Sequence, residues 1–505
     1  MERKVKIFYT SDTHGYLLPV SYATREKKDV GLFALTENFE KDGNTLIIDG
    51  GDTIQGSPFT MYTSKKNDEQ HPVAEVLNRA DYDYVTLGNH DFNYGEAHLN
   101  SYLKTLSAQC LCSNVADGTE KLKTKGYDIK VLENGLRVGI VGAVTDFVNI
   151  WEKPENIANL TISDPFIAVK DALENMKDQV DLTICLYHGG FECDLETGAV
   201  LSQTTENVGY RICQELDFDL LLTGHQHMPV EGQSLFGTHI VQPAANGEMY
   251  LSIEGVVDES GVAFTSTFGQ PAKDSDYSKL ASLCELEGDV QAWLDQPVGF
   301  LDRPLLPESK VEMALFGTPI ADFFNQVQLE TTGADISCTS LANEVKGFDA
   351  EVTVRDVVAT YIYPNTLCTI EVTGAILKAA LERVASYLEL NEVGEPEVSR
   401  RFLHPKVEHY NFDFFAGVTF DADLRQPVGE RVSNVRIKDA LVKVMDKLTL
   451  CMNNYRVTGA GGYEMYEGCP LVKEEPVEMS ELIINYLDQY KNVTVTDFPK
   501  SKFLY

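Results

Sequence analysis

The chain has 505 residues, with 42 basic against 77 acidic side chains and a formal net charge of −35. That length exceeds one hydrophobic core, so two domains are expected. The acidic surface repels polyanions and argues against long DNA or RNA as a partner, while a small phosphorylated ligand stays open where a local cation reverses the field.

In chain order, residues 1–272 alternate short apolar runs with helix-like stretches. The runs are VKIFYT, NTLIIDG, YDYVTLG, LRVGIVGAV, DLTICLYH and FDLLLTGH, each rich in Val, Ile, Leu or Tyr and halted by polar residues or glycine. They read as buried strands of an α/β domain. Between them, HPVAEVLNRA and PFIAVKDALENMKDQV have helical spacing, the second placing Ile167, Val169, Ala172, Leu173 and Met176 on one face. Residues 273–297 read as a connecting helix ending at Pro297. Residues 298–505 form a second α/β domain, in which LCTIEVTG reads as a strand, GAILKAALERVASYLE as the helix after it, and MSELIINYLDQY as a closing helix. No run reaches the roughly 18 apolar residues of a membrane span. The start shows no signal-type apolar core, and the ten scattered cysteines include no CxxC pair, which points to reduced thiols and the cytoplasm.

The ends of the strands carry the chemistry. VKIFYT runs into Asp12 and His14, NTLIIDG into Asp52, YDYVTLG into Asn89-His90-Asp91, DLTICLYH into His188, and FDLLLTG into His225 and His227. Singly, each residue has an ordinary reading as a cap, a turn former or a buried histidine. Five of the ten histidines falling at these positions is not ordinary, because loops after strands converge. His225 and His227, two apart, are expected to point the same way. Two aspartates, one asparagine and four histidines are more ligands than one ion needs. They suit two divalent transition-metal ions (Mn, Zn, Fe or Co) sharing a carboxylate, rather than an all-oxygen Ca or Mg site. Two such ions about 3.5–4 Å apart present hydroxide in line with phosphorus and neutralise phosphoryl oxygens.

The motifs Asp12-x-His14, Gly51-Asp52, Gly88-Asn89-His90, His188 and Gly224-His225-x-His227 resemble the signature of the calcineurin-like metallophosphoesterases. The resemblance implies a layered α/β/β/α catalytic domain. It assigns Asp12, His14, Asp52 and His227 to one metal, and Asp52, Asn89, His188 and His225 to the other. A metal-bridging hydroxide would attack phosphorus, and His90 would stabilise the phosphate charge or protonate the leaving oxygen.

The stretch GDTIQGSP (51–58), together with HYNFDFFAGVTFDADLRQPVGERV (409–432) and NNYRVTGAGGYE (453–464), is similar to the two-domain 5′-nucleotidase and 2′,3′-cyclic-nucleotide phosphodiesterase family. There the second domain binds the nucleotide, which implies base stacking by Tyr455 and Tyr410, with Phe415 as an alternative partner. Two departures choose between branches. Asn93 stands three residues after His90, where the 5′-nucleotidase branch has an aspartate that completes a His–Asp dyad, and residues 458–462 lack the acid that grips ribose hydroxyls. Both point to 2′,3′-cyclic-nucleotide phosphodiesterase with 3′-nucleotidase activity. A 5′-nucleotidase is the alternative, and a non-catalytic nucleotide-binding protein a third reading.

Overall fold

The computed structural model describes residues 2–66, 71–201, 204–363, 365–404 and 407–505. They separate into two units, one of residues 1–21 and 25–291, the other of residues 22–24 and 292–505. The stretch 273–297 holds a 3-10 turn at Tyr277–Lys279 and a helix at Ala281–Leu294, and Pro297 already opens the strand Pro297–Leu301.

The first unit is built on two sheets. In one, Arg3–Thr10 lies parallel to Thr45–Asp49, which lies parallel to Tyr84–Val85. In the other, Leu182–His188 lies between Arg137–Val144 and Leu220–Thr223, all parallel. Alternation along the strands sets the layers. Val5, Ile7, Tyr9, Leu46 and Ile48 of the first sheet pack against Val138, Ile140, Ile184, Leu186 and Leu222 of the second. Phe8 points the other way and stacks on Phe39, ring centroids 4.6 Å apart. The far face of the second sheet, with Val141, Cys185, Tyr187 and Leu221, is covered by the helices Pro165–Met176 and Gly209–Glu215. The result is the α/β/β/α order of layers.

Pro165–Met176 shows how local sequence sets a boundary. The Asp164 carboxylate accepts from the Phe166 and Ile167 N–H groups, and Pro165 occupies the first turn. Its buried stripe is Phe166, Val169, Ala172, Leu173 and Met176. Ile167, expected on that face, is 55% exposed instead, because it sits about 100° around the helix from Phe166.

The second unit has a five-stranded sheet in the order Asp413–Ala416, Ile336–Ser340, Lys447–Asn453, Leu367–Thr373, Leu471–Glu475. Thr373 caps the helix Gly374–Ala385, whose Leu377, Leu381 and Val384 join Ile336, Ile370, Leu450 and Met452 in one core. The closing helix spans Met479–Tyr490.

Candidate active site

Parallel strands in register deliver their carboxyl ends to one edge. Thr10 pairs with Asp49 and Asp49 with Val85 in the first sheet, and Tyr187 pairs with Thr223 and His188 with Val144 in the second. The two edges are tied together at the site. The Tyr9 hydroxyl donates to the Thr223 carbonyl at 2.9 Å, and the His225 N–H donates to Asp12 Oδ1 at 2.8 Å.

Asp12, His14, Asp52, His225 and His227 all have left-handed backbone, with φ between 47° and 70°. Non-glycine residues adopt this at a cost of about 1–3 kcal/mol each, so the surrounding structure must impose it. Two glycines show how tightly. A Cβ on Gly88 would overlap Asp52 Oδ1, and one on Gly224 would lie 2.5 Å from Asp12 Oδ2. The left-handed turns also correct an expectation. His225 and His227 do not follow strand alternation; they join different groups.

The potential ligand atoms of Asp12, His14 and His227 lie within 4.8 Å of one another, as do those of Asp52, His188 and His225. His14 Nε2 and His227 Nε2 are 3.0 Å apart, the separation of two imidazoles sharing one ion at about 2.1 Å. The outer nitrogens are held by backbone. His14 Nδ1 lies 3.2 Å from the Gln55 carbonyl and His188 Nδ1 2.7 Å from that of Gly50, so both donate through Nδ1 and turn Nε2 into the site. His225 is oriented by a carboxylate, its Nε2 3.0 Å from Glu206 Oε1, and by Trp151, whose ring stacks on it at 5.5 Å.

Three buried atoms here lack a well-formed hydrogen bond: Asn89 Oδ1, and Asp52 Oδ2 and His188 Nε2, which face each other 3.1 Å apart as an ion pair. An unsatisfied buried polar atom costs about 1–3 kcal/mol. A carboxylate oxygen and an imidazole nitrogen held face to face, with a further unsatisfied amide oxygen on Asn89, fit a cation that supplies what the protein withholds. The electrostatics agree. Burial alone would raise the Asp12 and Asp52 carboxyls, but the His227 hydrogen bond and the His188 charge hold Asp12 below the usual carboxylate range, and the His188 and His90 charges do the same for Asp52. Burial, then His227, pushes His14 down to about 3, leaving it a neutral donor. Burial would lower His188 too, yet the Asp52 charge brings it up to about 10. The pocket therefore favours positive charge where the two groups face.

His90 lies beside this pair, its ring 5.2 Å from that of His14 and its backbone N–H donated to Asp52 Oδ1 at 2.7 Å. Its Nδ1 is 2.8 Å from Asn93 Oδ1. Asp91, which the sequence showed only as the residue after His90, holds the site's backbone. Its two oxygens accept from the N–H groups of Asp52, Thr53, Ile54 and Gly88. Burial and the Asp52 charge push its carboxyl up to about 6.

In the second unit, Tyr410 belongs to the 3-10 turn His409–Asn411 and Tyr455 to the short helix Asn454–Val457, with Tyr455 43% exposed. The phenol of Tyr363 is raised by burial and then by the charges of Tyr410 and Tyr455, which places all three near one another. The ring centroids of Tyr363 and Tyr410 are 6.3 Å apart. Buried Arg456 fastens the two segments. It donates to the Tyr410 carbonyl at 3.0 Å, the Ala460 carbonyl at 2.8 Å and Asp413 Oδ1 at 2.8 Å. Phe415 is half-buried, packs on the hydrophobic core and lines a cavity with Phe412 and Phe420. Sequence reasoning gave no role to Trp151, Glu206, Tyr363 or Arg456. Only the NNYR motif drew attention to one of them.

Comparison with known proteins supports this architecture. The pattern described as calcineurin-like phosphoesterase matches residues 5–229, and that described as 5′-nucleotidase, C-terminal domain, matches residues 298–468. The trifunctional nucleotide phosphoesterase protein YfkN of Bacillus subtilis (strain 168) is 24% identical over 97% of this chain, which spans 38% of YfkN. The 2′,3′-cyclic-nucleotide 2′-phosphodiesterase/3′-nucleotidase of Salmonella typhimurium is 24% identical over 90% of this chain and 81% of its own. A Staphylococcus aureus protein provisionally named a 5′-nucleotidase, solved in complex with alpha-ketoglutarate, is 32% identical over 100% of both chains, with a TM-score of 0.72. With both patterns matched in order and a third of the residues shared with a solved relative of equal extent, the chain belongs to the two-domain 5′-nucleotidase family of calcineurin-like metallophosphoesterases, and is a phosphoric ester hydrolase.

Proposed function

We propose that the protein hydrolyses nucleotides, opening 2′,3′-cyclic phosphates and then removing the 3′-phosphate, with two divalent transition-metal ions (Mn, Zn, Fe or Co) in its active site. The observation that carries the chemistry is the pair of compact ligand groups, Asp12 with His14 and His227 and Asp52 with His188 and His225, together with the buried Asn89 Oδ1 left without a hydrogen bond. Asp12, His14 and His227 hold one ion, Asn89, His188 and His225 the other, and Asp52 serves both. When bound, the ions supply positive charge for the phosphoryl oxygens and a nucleophile at neutral pH. His90 turns Nε2 toward the phosphate, stabilising its charge or protonating the leaving oxygen. Tyr410 and Tyr455 take the faces of the base. The choice of phosphate is supported by Asn93 at the dyad position, by a 458–462 loop without an acid, and by the activity named for the Salmonella relative.

The second reading is a 5′-nucleotidase, favoured by the higher identity of the Staphylococcus protein. Steady-state kinetics on 2′,3′-cAMP, 3′-AMP and 5′-AMP with defined metals decide between them, and a higher kcat/KM on 5′-AMP overturns the first. Chelation is expected to abolish turnover and metal addition to restore it. Fewer than two bound ions, with no turnover after manganese is added, would instead indicate a non-catalytic nucleotide-binding protein. A cytoplasmic location belongs to the same proposal, supported by ten free cysteines, eight of them buried. Recovery outside the cytoplasm on fractionation of the host would contradict it.

A further inference from the structure

The Asn93 that departs from the dyad pattern is not alone. Its Nδ2 donates to Glu152 Oε2 at 2.7 Å, while its Oδ1 lies 2.8 Å from His90 Nδ1. Glu152 follows the short helix Val148–Trp151 and is 6% exposed. Its other oxygen, Oε1, accepts from the Lys153 N–H at 2.6 Å and from Asn156 Nδ2 at 2.9 Å. Asn156 Nδ2 also donates to the Asn93 carbonyl at 2.9 Å, so the residue is held through side chain and backbone.

We propose that Glu152 is a positioning residue for His90, acting through Asn93 to fix which imidazole nitrogen carries the proton. The proposal rests on the reading that His90 works on the phosphate. The logic is one of donors and acceptors. An asparagine amide offers an oxygen on one side and an NH2 on the other, and by itself can present either to a histidine. A carboxylate only accepts. Glu152 has both oxygens engaged by N–H donors, so it takes the amide NH2 of Asn93 and forces the amide oxygen toward His90. That oxygen needs a donor, which places the His90 proton on Nδ1. Nε2 is then the nitrogen left for the substrate. A dyad aspartate sets the same polarity directly. Here the carboxylate stands one residue further back and sets it through an amide. Trp151, adjacent in the chain, stacks on His225, so this one segment braces both histidines.

The test uses the full chain loaded with zinc, which is diamagnetic. In 15N-histidine-labelled wild type, His90 is expected as the Nδ1–H form by two-bond nitrogen–proton correlation, and an Nε2–H form overturns the proposal without any variant. For Glu152→Gln, kcat on nucleotide is expected to fall roughly 10- to 100-fold. KM should change less than about threefold, with the bound metal unchanged, because the altered contact is remote from substrate binding. The 152 amide can then present its NH2 to Asn93, turn the Asn93 amide over and move the His90 proton to Nε2. Asn93→Asp alone sets two carboxylates 2.7 Å apart in the wild-type frame and is expected to be worse. The pair Asn93→Asp with Glu152→Gln restores the polarity, since the new carboxylate accepts from both neighbours. It should recover most of kcat and the Nδ1–H signal. A Glu152→Gln enzyme with wild-type kcat, or a double variant no better than Asn93→Asp alone, overturns the proposal. Neither readout depends on which nucleotide is preferred, so this test and the substrate panel fail separately.

Discussion

At the scale of single residues, the site separates atoms that could meet an ion from atoms that hold them in place. His225 shows the division. Its Nε2 is committed to Glu206, which leaves Nδ1 as the nitrogen able to join Asp52 and His188. Such outer partners typically affect metal affinity by about 10–100-fold when removed. Glu206→Ala is therefore expected to weaken one of two bound ions by roughly that factor and leave the other unchanged. Competition with a graded chelator measures it, and two unaltered affinities would show that Glu206 does not support the site. The candidate ligand groups were legible in the sequence because a strand end is a local feature, visible as Asp12-x-His14 or Gly224-His225 after an apolar run. Glu152 and Glu206 were not. Each reaches its histidine across a tertiary return, Glu152 from 59 positions beyond Asn93, and no local pattern marks where such a segment lands. Asp91 was visible but its work was not, because four backbone N–H groups carry no side-chain signature.

At the scale of elements, periodicity predicted existence better than edges. Met479–Tyr490 matches its apolar pattern from end to end, whereas the stretch read as one helix over 273–297 breaks into a 3-10 turn, a helix and the start of a strand. The N-terminus of Met479–Tyr490 carries a pH-sensitive liability. Glu478 occupies the N-cap position with no side-chain cap, is 6% exposed, and is pushed up to about 8 by burial and then by the Glu481 charge. The unfolded chain ionises this carboxyl near 4.5, the native chain only near 8. Between those values the native state binds more protons, so the stability present below the lower one declines as pH rises toward the upper. Glu478→Gln removes the ionisation. It should stabilise the second unit by about 1–3 kcal/mol at pH 8 and leave it unchanged at pH 4. Thermal unfolding across that range checks the slope, and an equal gain at both pH values would show that packing, not charge, is responsible.

At the scale of the molecule, each unit has its own core and its own chemistry. Metal-ligand candidates belong to residues 12–227, while the candidate base-stacking rings Tyr410 and Tyr455 belong to the other unit. Substrates with and without a base therefore probe the candidate residues of each unit separately. Arg456 ties the backbone of Tyr410 to the glycine-rich loop while the Tyr455 ring stays 43% exposed, so truncating that ring should leave the scaffold standing. Stacking on one ring is worth about 1–3 kcal/mol, or roughly 5- to 150-fold in kcat/KM. Tyr455→Ala is expected to lose that factor on 2′,3′-cAMP and almost nothing on bis-p-nitrophenyl phosphate, which offers the same phosphorus chemistry without a nucleobase. Equal losses on the two substrates would mean that Tyr455 supports the fold rather than the nucleoside. A loss confined to the nucleotide would make the second unit the seat of base recognition, whichever phosphate the first unit cuts.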